Sequence, residues 1–198
     1  GNTMFHVLTL VRFGRFDEIL DVTSRPEGEV DGGFWDFAQG YAELREGNTK
    51  AAKRYLAKVQ DLAENSDGIF RFHSAEQLMG LSANILEGEI LRAEGDVDGA
   101  IAAFQRAAEW DDKQEYDEPE PIPYAARHWL GAALVEAGRF AQAEKEYRTE
   151  LADHPHNVWS LHGLKQALAG QGKTDAAVDE DYTNSTARSD TYITSSRF

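Results

Sequence analysis

The sequence predicts an all-α fold, a right-handed α-solenoid of about five helix pairs. One observation is a recurring Gly-x4-Ala interval, at Gly47/Ala52, Gly95/Ala100, Gly138/Ala143 and Gly172/Ala177. A second is apolar residues three and four apart in segments such as VDGAIAAFQRAAEW and AARHWLGAALVEAG, a helical period. A third is that no segment sustains the alternation typical of a strand.

Composition bounds the cellular setting and the chemistry. The chain has 198 residues, of which 41% are hydrophobic, so residues 1–198 can form one continuous array without separate domains. The absence of cysteine excludes disulfides, thiolate zinc sites and a cysteine nucleophile. No apolar run approaches the ~18 residues of a membrane span, and the first residues lack the apolar core of a signal peptide. We expect a cytoplasmic protein that does not bind a membrane.

The net charge indicates which classes of partner the protein can bind. A formal charge of -15 argues against nucleic acid, because a polyanion gains affinity from lysine and arginine. A basic peptide is the easier partner. The alternative is that the acidic residues lie on solvated helix faces and serve only solubility.

Each repeat is recognised by residues that have defined packing roles in a helix pair. Small residues let two helices approach, an aromatic residue fills the space between them, and glycine accepts the left-handed turn. The clearest copy contains Leu130, Gly131, Leu134, Gly138, Ala143, Tyr147 and Pro155. In chain order we predict repeats near 3–25, 33–65, 74–110, 124–155 and 157–188. The last has Lys165 and Asp181 where the small and aromatic residues belong, which is typical of a polar capping copy.

Two insertions interrupt the array. Successive turn glycines are separated by 33, 48, 43 and 34 residues, so the middle intervals carry extra chain. Around 65–74 we predict a turn at Asp67-Gly68 and a long helix beginning near Ser74. Residues 111–123 form an acidic, proline-rich loop that cannot be regular helix. If Tyr116 and Ile122 fold back, this loop becomes a gate across a groove.

These features resemble the tetratricopeptide repeat family. More narrowly, the chain resembles the C-terminal part of bacterial tetratricopeptide repeat protein 38-like proteins. The segments that carry this are Arg12-Phe13-Gly14-Arg15, Glu118-Pro119, Arg127-His128, Leu130-Gly131-Ala132-Ala133-Leu134, Asn157, Trp159-Ser160-Leu161, Gly163-Leu164 and Ser196-Arg197-Phe198. Ile122 and Ala125 depart from that pattern. The narrower resemblance implies the C-terminal half of a longer protein, and no established activity.

No motif supports catalysis. The sequence lacks a phosphate loop, a nucleophile elbow and a His-Glu-x-x-His zinc motif. A metal-dependent enzyme would have to use His128, His154, His156 or His162 with nearby acids. Histidines that flank Pro155 are more simply turn residues, so we predict no enzyme activity, no metal and no cofactor.

The family resemblance also implies a ligand surface, because the first helix of each repeat lines the concave face. The predicted groove residues are Arg12, Phe37, Tyr41, Arg45, Glu89, Arg92, His128, Trp159 and His162, with Phe34, Glu136 and Gln166 at equivalent positions. Aromatic and arginine side chains dominate binding energies at such surfaces. The alternative is that Phe34, Phe37 and Tyr41 pack as core.

The sequence therefore predicts a non-enzymatic scaffold that binds a protein or peptide in a concave groove. One rival is a structural half of a longer repeat protein, or a self-association module with no free groove. The other is the metal-dependent enzyme.

Overall fold

The computed structural model describes residues 2–198, with side chains from Met4 onward. Ten helices and one two-stranded sheet account for the regular structure of this part of the chain. In chain order the elements are α1 Asn2–Arg12, α2 Phe16–Asp21, α3 Glu29–Arg45, α4 Thr49–Asn65, β1 Ile69–Phe70, β2 His73–Ser74, α5 Ala75–Ala93, α6 Val97–Asp111, α7 Arg127–Glu136, α8 Phe140–Asp153, α9 Val158–Gly170 and α10 Ala176–Thr186. The predicted all-helical character is confirmed.

The turn glycines behave as the repeat pattern predicts. Positive φ angles occur at Gly14 (64°), Gly47 (83°), Gly95 (86°), Gly138 (70°) and Gly172 (67°). A side chain is disfavoured in this left-handed conformation, so glycine lets the chain reverse directly after a helix. The spacing of these glycines therefore sets where each first helix ends.

The chain divides into two compact units. The first extends to Tyr124 and includes Phe198, and the second is Ala125–Arg197. In the first unit α3 packs on α1, α2, α4 and α5, and α5 also packs on α4 and α6. In the second unit α7, α8 and α9 pack on one another, and α10 packs on α9. The handedness, the five-pair count, the repeat boundaries and the single solenoid over 1–198 stay predictions.

The insertion around 65–74 contains a short hairpin. Ile69 pairs with Ser74, and Phe70 with His73, in antiparallel register. The prediction of no strand is wrong here, because two residues a side are too few to show alternation. Ser74 is also the N-cap of α5 and forms a reciprocal capping box with Gln77. The predicted helix start near Ser74 is confirmed.

Candidate functional site

In the second unit, the Tyr147 ring lies in a slot formed by two glycines. A Cβ added at Gly131 would lie 2.3 Å from Tyr147 Cζ, and one at Gly163 would lie 2.1 Å from it. Both distances are far shorter than a van der Waals contact. Only glycine at these positions of α7 and α9 therefore leaves room for the ring from α8. Tyr147 is fully buried, and burial raises the pKa of its hydroxyl. The phenol therefore stays protonated and needs a hydrogen-bond partner.

That partner is Ser196, in the segment after α10. The two hydroxyl oxygens lie 2.6 Å apart, and Ser196 Oγ donates to the His128 carbonyl at 2.8 Å. Ser196 has one hydroxyl hydrogen, which this carbonyl takes, so Tyr147 donates and Ser196 accepts. Ser196 is completely buried. A serine outside any helix thus completes a buried polar contact between α7 and α8.

The neighbours of Ser196 make further polar contacts within this unit. An Arg197 guanidinium nitrogen lies 3.2 Å from Glu136 Oε1, and the Arg197 side chain is 9% exposed. His162, on α9, makes a hydrogen bond with the backbone of Thr194. Burial lowers the pKa of His162, and the hydrogen bond with Thr194 opposes this effect without cancelling it. Thr194–Arg197 thus has partners on α7, α8 and α9, and we call it the tail segment.

A buried cluster of ionisable side chains lies on the same helices. His128 Nε2 is 3.1 Å from Ser160 Oγ and 3.7 Å from Glu150 Oε1. His154 Nδ1 lies 3.1 Å from the same Glu150 oxygen. In a Ser-His-acid triad the histidine uses one nitrogen for the serine and the other for the acid. Here serine and carboxylate approach one nitrogen, and His128, Ser160 and Glu150 are all buried. The arrangement is that of a structural polar network.

The other two histidines of the predicted metal-dependent alternative, His156 and His162, have partners elsewhere in this unit. His156 Nδ1 lies 2.6 Å from Asp181, and the His162 ring is 6.1 Å from the Tyr182 ring. Across the part of the chain that the structure describes, no group of three or more His, Cys, Asp or Glu side chains is placed to hold a metal ion.

The predicted aromatic groove residues of the first unit are in its core. Phe34, Phe37 and Tyr41 are fully buried. The Tyr41 ring lies 5.0 Å from Phe16 and 6.2 Å from Phe37. This corrects the prediction that the Phe37 and Tyr41 side chains line an accessible groove. They pack as core, which is the alternative that helical spacing left open.

Tyr41 nevertheless has a polar contact at its end. Its hydroxyl donates to the Phe198 carbonyl oxygen, within the same unit. The Phe198 ring lies 5.8 Å from Tyr124, edge to face. The aromatic core of this unit thus includes the last residue of the sequence.

The other predicted groove residues have separate environments. Arg12 donates to the Pro123 carbonyl, and the exposed Arg45 guanidinium lies 5.1 Å from the Phe16 ring. Glu89 is buried and Arg92 is half-buried. Trp159 is half-buried in the first turn of α9. The His128 side chain is buried, and its backbone carbonyl accepts the hydrogen bond from Ser196, so as an accessible groove side chain His128 is corrected.

Arg71 holds the middle of the acidic loop. Arg71 lies 2.5 Å from Asp117 Oδ2 and donates to the Pro119 carbonyl at 2.8 Å. Burial would raise the pKa of Asp117, but the Arg71 hydrogen bond and charge lower it overall. Ile122 is buried, whereas Tyr116 is 82% exposed. Only one of the two side chains expected to fold back does so.

Sequence reasoning missed the contacts that Ser196 and Arg197 make with α7 and α8. Both residues follow a polar stretch without helical periodicity, where no pattern predicts burial. One signal was present: the clearest repeat has tyrosine where the preceding repeat has phenylalanine, Tyr147 against Phe104. A buried tyrosine needs a partner for its hydroxyl, whereas phenylalanine does not.

Residues 81–114 match the family model of the tetratricopeptide repeat. This range covers the greater part of α5 and all of α6, and it supports a tetratricopeptide repeat protein. Neither the curated proteins nor the solved structures gave a match to the chain. Among the described residues, no helix combines the length and apolar character that a membrane crossing requires.

Proposed function

We propose that the protein is a non-enzymatic scaffold that binds an extended protein or peptide segment in the concave groove of a right-handed helical-repeat array. The observation that carries the proposal is the tail segment, an irregular peptide held by a hydroxyl, a carbonyl and a carboxylate group of α7 and α8 and by the His162 side chain of α9. Tetratricopeptide repeats generally mediate protein–protein interactions, and residues 81–114 match that repeat.

A basic ligand fits the charge. Glu136 pairs with an arginine in the tail segment, and the chain carries a net charge of -15. Arginine is well suited to such a contact, because its guanidinium binds carboxylates in a defined geometry. The proposal therefore favours peptides with arginine over acidic peptides.

The test is selection from a random peptide library displayed on phage, with the full chain as bait. We expect enrichment of arginine-containing peptides, and loss of their binding in Glu136→Lys. Glu180→Lys, an exposed change in α10 of the same charge, is the matched control and should retain binding. No enrichment above the level of the empty support would overturn the proposal.

Exposed apolar side chains favour the self-association alternative. Ile69 is 68% exposed and Phe72 is 50% exposed, both in the hairpin region. That alternative predicts a stable dimer in light scattering that Ile69→Ser dissociates. A monomer at micromolar concentration would count against it.

A further inference from the structure

The tail segment combines a deeply buried anchor with exposed neighbours. Ser196 is completely buried, whereas Tyr192, four residues earlier, is 94% exposed. No helix or strand includes Thr194–Arg197. This segment makes hydrogen bonds and an ion pair with α7, α8 and α9, and a segment held in this way can detach without unfolding the helices. Its release also separates Phe198, the next residue, from Tyr41 and Tyr124 in the first unit.

We propose that the tail segment is an internal ligand, and that the site it fills on α7–α9 takes in trans a peptide with serine or threonine followed directly by arginine. This inference rests on the proposed peptide-binding function and names its ligand chemistry and its regulation. The tail segment and a partner peptide then compete for one site.

The hydrogen bonds define the first position of the ligand. The site offers one donor, the Tyr147 hydroxyl, and one acceptor, the His128 carbonyl, at 2.6 and 2.8 Å from Ser196 Oγ. A hydroxyl accepts from one and donates to the other, whereas a carboxylate cannot donate to the carbonyl. The complete burial of Ser196 also restricts this position to a small side chain.

Glu136 defines the second position. Its carboxylate lies 3.2 Å from the Arg197 guanidinium and is 46% exposed, so it is reachable at the edge of the site. The Arg197 side chain is only 9% exposed, so this pair favours arginine at the second position and discriminates against a like charge. The fully buried hydroxyl is the anchor, and the arginine sets the preference for a basic ligand.

Intramolecular attachment makes the tail segment a strong competitor. A tethered ligand has an effective concentration on the order of millimolar, so a free peptide of equal affinity fills few sites. Release of the tail should raise the apparent affinity for the free peptide at least ~10-fold.

The experiment uses the full chain and a fluorescein-labelled peptide with the sequence of residues 190–198, DTYITSSRF. Binding is measured by fluorescence anisotropy for the wild type and for Ser196→Asp/Arg197→Glu, whose tail can neither donate to His128 nor pair with Glu136. The double variant should bind at least ~10-fold more tightly than the wild type. Equal binding, or no binding by either protein, would overturn the inference.

A charge exchange tests the second position. In the tail-released variant, Glu136→Lys should weaken binding of the original peptide. The same change should allow binding of a peptide in which glutamate replaces the arginine. Replacement of the second serine by valine should abolish binding to every variant. If the valine peptide binds as well as the original, the hydroxyl anchor is wrong.

A second measurement applies if the double variant does not fold. Unlabelled peptide is added to ¹⁵N-labelled wild type, and narrow signals from a released tail should grow with peptide concentration. Unchanged tail signals at saturating peptide would contradict the competition. A wild-type dimer that the double variant converts to monomer would place the tail in a second copy and overturn intramolecular occupancy.

The two proposals fail in different ways. If library-selected peptides bind but neither compete with the tail nor contain the hydroxyl–arginine pair, the scaffold function stands and this inference falls. If no peptide binds to any form of the chain, both fall.

Discussion

The repeat formed by α5 and α6 and the repeat formed by α7 and α8 follow one spacing but bury different chemistry. Their turn glycines lie 43 residues apart. At that offset Ile85 corresponds to His128, and Ala107 corresponds to Glu150. All four side chains are buried. The first repeat has an apolar core at these positions, and the second has a polar network.

The aromatic residue shows the same contrast within a shared geometry. A Cβ at Gly88 would lie 2.4 Å from Phe104, and one at Gly131 would lie 2.3 Å from Tyr147. The contact with the preceding helix is the same in both pairs, whereas Tyr147 also faces Gly163 and carries one added hydroxyl, which reaches Ser196. Helix packing and contact with the tail segment are therefore separable: packing needs the glycine and the ring, and the contact with Ser196 needs the added oxygen.

Stability should fall most when the buried glutamate of the second repeat, Glu150, is introduced at the corresponding position of the first. Ala107→Glu would bury a carboxylate at a fully buried site where Ile85 replaces the neighbouring histidine. An unpaired buried charge is strongly unfavourable, so we expect a loss of about 4 kcal/mol in the free energy of unfolding. Urea denaturation followed by circular dichroism measures it. Ala102→Glu, on the exposed face of α6, should change stability by less than about 0.5 kcal/mol. Equal midpoints for the two variants would contradict the contrast between the repeats.

An exchange of the aromatic residues gives a smaller effect in both directions. Phe104→Tyr adds a hydroxyl at a fully buried position and should cost about 2 kcal/mol if it finds no partner. Tyr147→Phe leaves Ser196 with one partner fewer and should cost about 1 kcal/mol. Only the second change should also increase hydrogen exchange in the tail segment. If Phe104→Tyr is neutral, the first slot has room for a polar partner, and the two repeats differ less than proposed.

Local chemistry made the framework predictable from the sequence. The turn glycines adopt positive φ, and Ser74 caps α5, because each depends on one residue and its immediate neighbours. The core was less accessible to sequence reasoning. The spacing of Phe37 and Tyr41 places them on one helix face, but whether that face meets solvent or another helix depends on distant chain.

The polar contacts lay beyond sequence reasoning because they join distant positions. Arg71 meets Asp117 across 46 residues, and Ser196 meets His128 across 68. Neither pair belongs to a periodic pattern, so no local signal links the partners. The short hairpin at Ile69–Phe70 was missed for a related reason, since its register depends on its tertiary surroundings.

A third position continues the contrast between the repeats. At the same offset of 43 residues, the buried Ile101 of α6 corresponds to Glu144 of α8. Glu144 accepts hydrogen bonds from Gln171 at 2.8 Å, from Arg148 at 3.0 Å and from Lys173 at 3.3 Å. These contacts, the Gln171 bond first, lower the pKa of Glu144 from its ordinary 4.5 to about 2. The second repeat therefore carries a pH-dependent contact where the first has an apolar one.

The smallest expected effect is the loss of that contact in acid. Because the folded-state pKa lies below the unfolded value, the contribution of Glu144 is complete above about pH 4.5 and disappears as pH falls through about 2. We expect Glu144→Gln to be about 1 kcal/mol less stable than wild type at pH 7, since partial exposure screens the contact. Urea denaturation from pH 7 to pH 3 should show this difference fall to less than half. Glu109→Gln, an exposed change in α6, controls for the loss of one surface charge. A difference that stays constant over this range would mean that Glu144 contributes through packing rather than charge, as Ile101 does in the first repeat.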